Sequence, residues 1–176
     1  MLYREATPAD KSAILEVHAL AFVQDEESLL VDALLSDPTA HPVVSLLAED
    51  LGRIVAHVLF TNVELVGPDT PCTASILAPL AVIPSAQGSG IGRKLIEAGC
   101  ELLAERGVRL VFVLGDPSYY TKSGFTAALP HGLHAPYEIQ PANAWMVRAL
   151  DDACLTNNQG MLRCADALAP EKYWRE

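Results

Sequence analysis

Pro84-Ser85-Ala86-Gln87-Gly88-Ser89-Gly90-Ile91-Gly92-Arg93 is the stretch on which the reading of this chain turns. Three glycines at alternate positions lead into an amphipathic run that reaches Arg106. Ile91, Leu95, Ala98 and Leu102 recur there at helical spacing, with Glu97, Glu101 and Glu105 as a solvated stripe. A glycine loop that opens a helix turns several backbone N–H groups toward one point, and the helix dipole adds roughly half a positive charge. That combination is a phosphate cradle. Arg93 and Lys94 add positive charge locally. The loop lacks the Lys-Ser/Thr ending of a P-loop. It also fails as a dinucleotide fingerprint. From Gly88 that motif needs glycine where Arg93 stands, and from Gly90 it needs glycine where Leu95 stands.

On the upstream side, residues 75–83 are an apolar strand candidate interrupted by Pro79, which cannot donate to a sheet ladder. An edge strand, or a bulge at Ala78-Pro79-Leu80, is expected. On the downstream side, Gly107 suits a helix C-terminal cap. Leu110-Val111-Phe112-Val113-Leu114 has no polar residue and predicts a strand buried on both faces. Asp116-Pro117 then starts a short helix carrying Tyr119 and Tyr120, which Gly124 ends. Residues 75–114 thus form a strand–loop–helix–strand unit, which predicts a parallel pair with a right-handed crossover.

Further out, residues 43–49 and 53–65 read as strands joined by a turn at Asp50-Leu51-Gly52, the second closed by Gly67-Pro68-Asp69. Residues 2–6 are a short strand candidate. Thr7-Pro8-Ala9-Asp10 is a helix start, with Thr7 as cap and Asp10 closing the box. Ile14, Val17 and Ala21 follow at helical spacing. A second helix over residues 26–35 presents Leu30, Ala33 and Leu34 on one face and is stopped by Asp37-Pro38. In the tail, alternating Trp145, Val147 and Ala149 predict a strand over residues 144–150. Asn157-Asn158-Gln159-Gly160 reads as a turn before a short strand from Met161, and the aromatic pair Tyr173-Trp174 lies close to the end. Antiparallel hairpins beside a parallel unit make a mixed sheet of the α/β class.

The 176 residues suit one domain spanning 1–176. At 51% apolar and 19% charged, the chain is not disordered. Its 12 basic against 22 acidic residues give a net charge of −10, which excludes the basic footprint of a nucleic-acid binder. No stretch approaches the roughly 18 apolar residues of a membrane span. Met1-Leu2-Tyr3-Arg4-Glu5 does not read as a signal peptide. Cys72, Cys100, Cys154 and Cys164 show neither a CxxC pair nor zinc spacing, so reduced thiols and a cytoplasmic setting are expected. His131 and His134 lack a third ligand in sequence, and no metal is expected.

Gln87-x-x-Gly90-x-Gly92 matches the pattern Q/R-x-x-G-x-G/A, and at this point the chain resembles the GNAT acetyltransferase superfamily. Leu77-Ala78-Pro79-Leu80-Ala81-Val82 is similar to that family's splayed fourth strand. Tyr120-Thr121-Lys122-Ser123-Gly124-Phe125 is similar to its Y-x-K-x-G-F signature after the fifth strand. With Gly115-Asp116-Pro117, these resemble a branch of small bacterial GNAT proteins of uncertain substrate. The resemblance covers about residues 1–128 and leaves 129–176 as a variable part on the acceptor side.

The resemblance implies a mixed sheet with splayed parallel fourth and fifth strands flanked by helices. It implies acetyl-CoA as cosubstrate, with no metal, and transfer to a primary amine on a small molecule or a peptide N-terminus. It assigns the pyrophosphate to the backbone of Gly88, Ser89, Gly90, Ile91, Gly92 and Arg93. Gln87 would brace the loop or reach a phosphate, and Lys122 would approach the phosphates. Backbone groups around Leu80, Ala81 and Val82 would receive the oxyanion and the pantetheine arm. Tyr120 would protonate the departing thiolate, with Tyr119 packing beside it. The general base stays open among Glu26, Glu27, Glu64 and His57. The two helix glutamates equally suit the helix dipole, and His57, among apolar neighbours, equally suits a satisfied core position. Homodimers are common in the family. Two other readings stand beside this one: a non-catalytic acyl-CoA-sensing module and a nucleotide-binding α/β domain. The acidic surface slightly favours a cationic acceptor.

Overall fold

Local signals place most of the elements. The structure, a computed structural model, describes residues 1–67 and 72–175. Pro68 and Asp69 of the expected turn lie outside the described residues. Strand β1 (Leu2–Glu5) leads to a 3-10 turn at Pro8–Asp10 and helix α1 (Lys11–Ala21). The capping reading is met there: the Thr7 backbone N–H donates to Asp10 Oδ2 at 2.7 Å. The Asp10 carboxylate also receives two bonds from the Arg4 guanidinium, at 2.8 and 2.9 Å, tying the helix start to β1. Helix α2 (Glu26–Ser36) follows, then β2 (Val44–Asp50) and β3 (Arg53–Val66). The hairpin between them needs positive φ at both central residues. Leu51 at 49° and Gly52 at 78° supply it.

Strand β4 (Ala74–Val82) pairs antiparallel with β3 and runs into helix α3 (Ile91–Glu105) and strand β5 (Leu110–Leu114). A short helix α4 (Pro117–Tyr120) and the strands β6 (Thr126–Ala127) and β7 (Leu133–His134) follow. The chain continues with β8 (Trp145–Ala149), α5 (Asp152–Asn157) and β9 (Gly160–Arg163). The sheet order is β1-β2-β3-β4-β5-β8-β6, with β9 pairing β3 and β7. The pair β4–β5 is parallel, as the crossover unit requires.

Pro79 makes a bulge rather than an edge, because β4 lies inside the sheet between β3 and β5. Val58 faces Leu80 while Phe60 faces Leu77, so β4 carries one extra residue at this point. The ladder to β5 runs from Ala74↔Leu110 to Leu77↔Val113 and stops there. Beyond Leu77 the two parallel strands part.

Side chains fill both faces of the sheet. On one, Leu30, Val31 and Leu34 of α2 meet Leu47, Ile76, Phe112 and Trp145. On the other, Leu95, Ile96, Cys100 and Leu103 of α3 meet Val58, Phe60, Val111 and Phe125. Alternate residues of β5 serve the two faces, which is why that strand carries no polar residue.

Three details of the sequence reading are corrected. In α2 the buried face is Leu30, Val31 and Leu34, and Ala33 points to solvent. In α3 the buried stripe runs through Gly92, Ile96, Gly99 and Leu103, so Ala98 and Leu102 are only half-buried. Glycines carry no hydrophobic weight, yet they set this stripe. A Cβ at Gly99 would run into the Phe60 ring, so the helix rests directly on the sheet. Finally, Met146 is buried along with Trp145 and Val147, because β8 lies between β5 and β6 with side chains packed on both faces. Helix α5 is absent from the sequence reading; Asp151 starts it by accepting the Ala153 N–H at 3.0 Å. Among the described residues, no helix is long and apolar enough to cross a membrane.

Candidate active site

The break in the β4–β5 ladder opens two cavities that meet at Phe22, Leu80 and Tyr120. The larger, about 610 Å³, runs along Leu80, Ala81 and Val82, under the loop from Gln87 to Arg93, and past Tyr119 and Lys122. The smaller, about 360 Å³, lies between the start of α2, the parted strand ends and the last residues of the chain.

The loop takes its shape from its glycines. Gly88 and Gly90 sit at φ +78° and +83°, a region that costs L side chains strain. Gly90 caps α3 from that conformation. At Gly92 the limit is space: a Cβ would meet the Tyr119 hydroxyl and stand 3.5 Å from Leu80 and Val82 side-chain carbons. Gln87 is a brace, its amide donating to the Val82 carbonyl at 2.9 Å. Ser89 is turned back, its hydroxyl donating to the Ala86 carbonyl at 2.7 Å, and it does not line the cavity as its neighbours do. The backbone N–H groups at the start of α3 and the side chains of Arg93 and Lys122 make this cavity locally positive in an acidic protein.

Tyr120 stands on α4, whose start Asp116 fixes by accepting the Ser118 N–H at 2.9 Å. Its ring lies edge-on to Tyr119 at 5.0 Å and to the buried Phe125 at 5.7 Å. Gly115 leaves room for it, since a Cβ there would overlap the Tyr120 ring. Tyr119, expected only to pack, also lines the larger cavity; burial pushes its hydroxyl pKa up, and Arg93 partly opposes this.

The acidic candidates separate. Glu26 and Glu27 both line the smaller cavity. Glu26 is held by Lys172 at 3.0 Å. Glu27 Oε2 is buried and has no hydrogen-bond partner among the described residues. Glu64 lines neither cavity: it is exposed and paired with Arg163 across the β3–β9 ladder. Its place in a long polar-ended strand gave no sign of this, because β9 lies far along the chain. His57 is fully buried in a network, with its Nδ1 2.8 Å from His18 Nε2 and its Nε2 2.7 Å from Ser45 Oγ. Burial holds both imidazoles neutral, His18 down to about 4 and His57 well below its ordinary value, with His18 adding to the shift. The satisfied-core reading of His57 therefore applies. His18 stacks on Phe22, centroids 6.3 Å apart, so this network underlies a residue that lines both cavities.

The tail supplies the last wall. Trp174 is buried, its indole N–H donating to the Leu168 carbonyl at 2.8 Å and its ring edge-on to Trp145 at 5.6 Å. Tyr173, Lys172 and Arg175 face the smaller cavity. The terminal aromatics thus both close the core and border the cavity. Cys100 is buried in α3, its thiol pushed up to about 12 by burial, which makes it an inert core residue. Among the described residues, no group of His, Cys, Asp and Glu is placed to hold a metal ion.

Comparison with known proteins adds independent findings. Residues 2–128 match the family described as "Acetyltransferase (GNAT) domain". The chain is 43% identical over 161 residues to the uncharacterized N-acetyltransferase YjhQ of Escherichia coli, covering 90% of this chain and 88% of that one. It is 32% identical over 163 residues to the uncharacterized N-acetyltransferase YhbS of the same organism, covering 92% and 95%. The crystal structure of E. coli YhbS in complex with CoA superposes with a TM-score of 0.86 at 29% identity, covering 96% and 92%. A GNAT acetyltransferase from Brucella melitensis in complex with acetyl-CoA gives 0.76 at 29% identity, covering 95% and 97%.

Proposed function

The chain belongs to the GNAT acetyltransferase family and is an acyltransferase, and from that premise we propose that it moves the acetyl group of acetyl-CoA to a primary amine by direct attack in a ternary complex. The observation that carries this reading is the parting of β4 from β5 beyond Leu77, with the glycine loop on one side and the Glu27 cavity on the other. The larger cavity fits the cosubstrate chemically. Its loop N–H groups and flanking Arg93 and Lys122 suit a pyrophosphate, and the edge of β4 from Leu80 to Val82 suits the amides of a pantetheine arm. CoA and acetyl-CoA in two similar structures support the same assignment.

Transfer makes three demands on the protein. A lysine-like ammonium, with a pKa of about 10.4, must lose a proton before it attacks. Glu27 takes that role in preference to Glu26, whose carboxylate Lys172 already holds. Charge gathering on the thioester oxygen needs a donor in place beforehand, which a backbone N–H of β4 near Leu80 to Val82 supplies. The CoA thiolate leaves more readily with a proton, and Tyr120, where the two cavities meet, is placed to give it. Atoms balance: the amine gains acetyl and loses a proton, and CoA leaves as the thiol.

A non-catalytic sensor of acyl-CoA has no use for a carboxylate with an unpaired oxygen at a second cavity, so the enzyme reading is favoured. Its test is acceptor-dependent release of free thiol. Tyr120→Phe is expected to lower kcat on the order of 10²-fold while acetyl-CoA affinity changes by less than about threefold. Unchanged turnover in that variant removes Tyr120 from the mechanism.

A further inference from the structure

We propose that the acceptor is a small primary amine with a single positive charge on an apolar, ring-bearing body, and that the cavity selects against polycations. The proposal rests on the reading of the smaller cavity as the acceptor side of an acetyltransferase.

Charge inside that cavity is unevenly committed. Two carboxylates line it, but Lys172 neutralises Glu26 at 3.0 Å. Glu27 Oε2 remains as a buried acceptor without a donor among the described residues. A buried carboxylate oxygen left unpaired is costly, and one ammonium satisfies it. The cavity therefore has a place for one positive charge. A second finds no free carboxylate there, because Lys172 holds Glu26 and Arg175 lies 3.5 Å from Glu171. Lys172 Nζ also lies 4.8 Å above the Tyr173 ring, so the ring's cation-binding face on that side is occupied. The global charge of −10 thus draws cations to the protein, while this cavity offers one unpaired carboxylate oxygen, that of Glu27, to a single ammonium.

The walls specify the rest of the acceptor. Phe22, Leu30, Tyr173 and Trp174 line the cavity with aromatic and aliphatic side chains. The Trp174 indole N–H is already spent on Leu168, so this buried ring offers the cavity no hydrogen bond. A volume of about 360 Å³ is near the lower end of the roughly 300–1,000 Å³ of ligand pockets, which suits a small body rather than an oligosaccharide.

The test measures thiol release with purified protein, using phenethylamine and tryptamine against spermidine and kanamycin, beside calorimetric binding of acetyl-CoA. The ring-bearing monoamines are expected to exceed both polycations at least tenfold in kcat/KM. The double variant Lys172→Gln/Arg175→Gln is expected to narrow that ratio at least fivefold by freeing the carboxylates of Glu26 and Glu171 for a second charge. Polycations used as well as monoamines, or a ratio that the double variant leaves unmoved, overturn the proposal. Bound acetyl-CoA with no monoamine acetylated also overturns it, while leaving the cosubstrate reading intact. Failure to bind acetyl-CoA overturns the underlying reading of the site and this proposal with it.

Discussion

Acidification should destabilise this protein well before its carboxylates protonate, through the buried His18–His57 pair. Both rings are fully buried, and His57 is bonded on both nitrogens, to His18 and to Ser45. His18 Nδ1 has no partner among the described residues, so a proton added there would be a buried N–H without an acceptor. Folding thus lowers both imidazole pKa values, to about 4 for His18. The sign follows from that shift. Above about pH 6.5, the unfolded value, both states are neutral and the pair contributes its full stability. Below it the unfolded chain binds protons that the folded chain refuses, and each histidine costs about 1.4 kcal/mol per pH unit until its folded pKa is reached. Between pH 7.5 and 4.5 this comes to about 2.5 kcal/mol for His18, with His57 adding in the same direction, out of a typical total of about 5–15 kcal/mol. Asp10, which Arg4 holds below the usual carboxylate range, adds its loss only as pH falls below about 4. Urea unfolding followed by the fluorescence of the buried Trp145 and Trp174 at pH 7.5, 6.5, 5.5 and 4.5 gives the slope directly. Protons are expected to be taken up on unfolding at the acid end, and fewer of them in His18→Gln, whose amide can still meet His57. A wild-type stability that varies by less than about 1 kcal/mol over this window, or an unchanged slope in His18→Gln, refutes the reasoning.

Three substitutions test the site and its support. Glu27→Gln keeps the shape of the acceptor cavity and removes its unpaired charge; kcat is expected to fall about 10²-fold or more with acetyl-CoA affinity retained in calorimetry. Gly92→Ala drives a methyl into the Tyr119 hydroxyl at the mouth of α3, and acetyl-CoA binding is expected to weaken about tenfold, or 1.4 kcal/mol, with little change in Tm. Gly99→Ala meets the Phe60 ring where α3 rests on β3; overpacking of about 1–3 kcal/mol should lower Tm by roughly 3–10 °C in a scan.

Much of this fold was legible because its signals are local. The caps at Thr7 and Asp116, the Leu51-Gly52 turn and the apolar run of β5 each act within a few residues, and each lies where the pattern predicts. The glycine loop was legible for the same reason, since its φ angles and its helix cap are set by neighbours in sequence. Pro79 announced an irregularity without its kind: whether a bulge or an edge forms depends on β5 arriving on the far side, a distant event. The helix faces were misread at Ala33 and Leu102 because burial depends on what a helix lies against, and two glycines in α3 let the sheet come closer than side-chain spacing implies. The general-base candidates show the same limit. Nothing near Glu64 in sequence announces Arg163, and nothing near Glu26 announces Lys172, yet these partners separate Glu27 from the others. The contribution of the tail to the smaller cavity is likewise a product of chain closure, with Trp174 anchored on Trp145.

The central claim is that the loop from Gln87 to Arg93 and the parted edge of β4 hold acetyl-CoA. Calorimetric titration of the purified protein with acetyl-CoA, with ATP and NAD as controls, tests it most directly. One acetyl-CoA per chain with a micromolar Kd, and much weaker binding of both nucleotides, is the predicted result. No acetyl-CoA binding at millimolar ligand, or tighter binding of ATP or NAD, would contradict it.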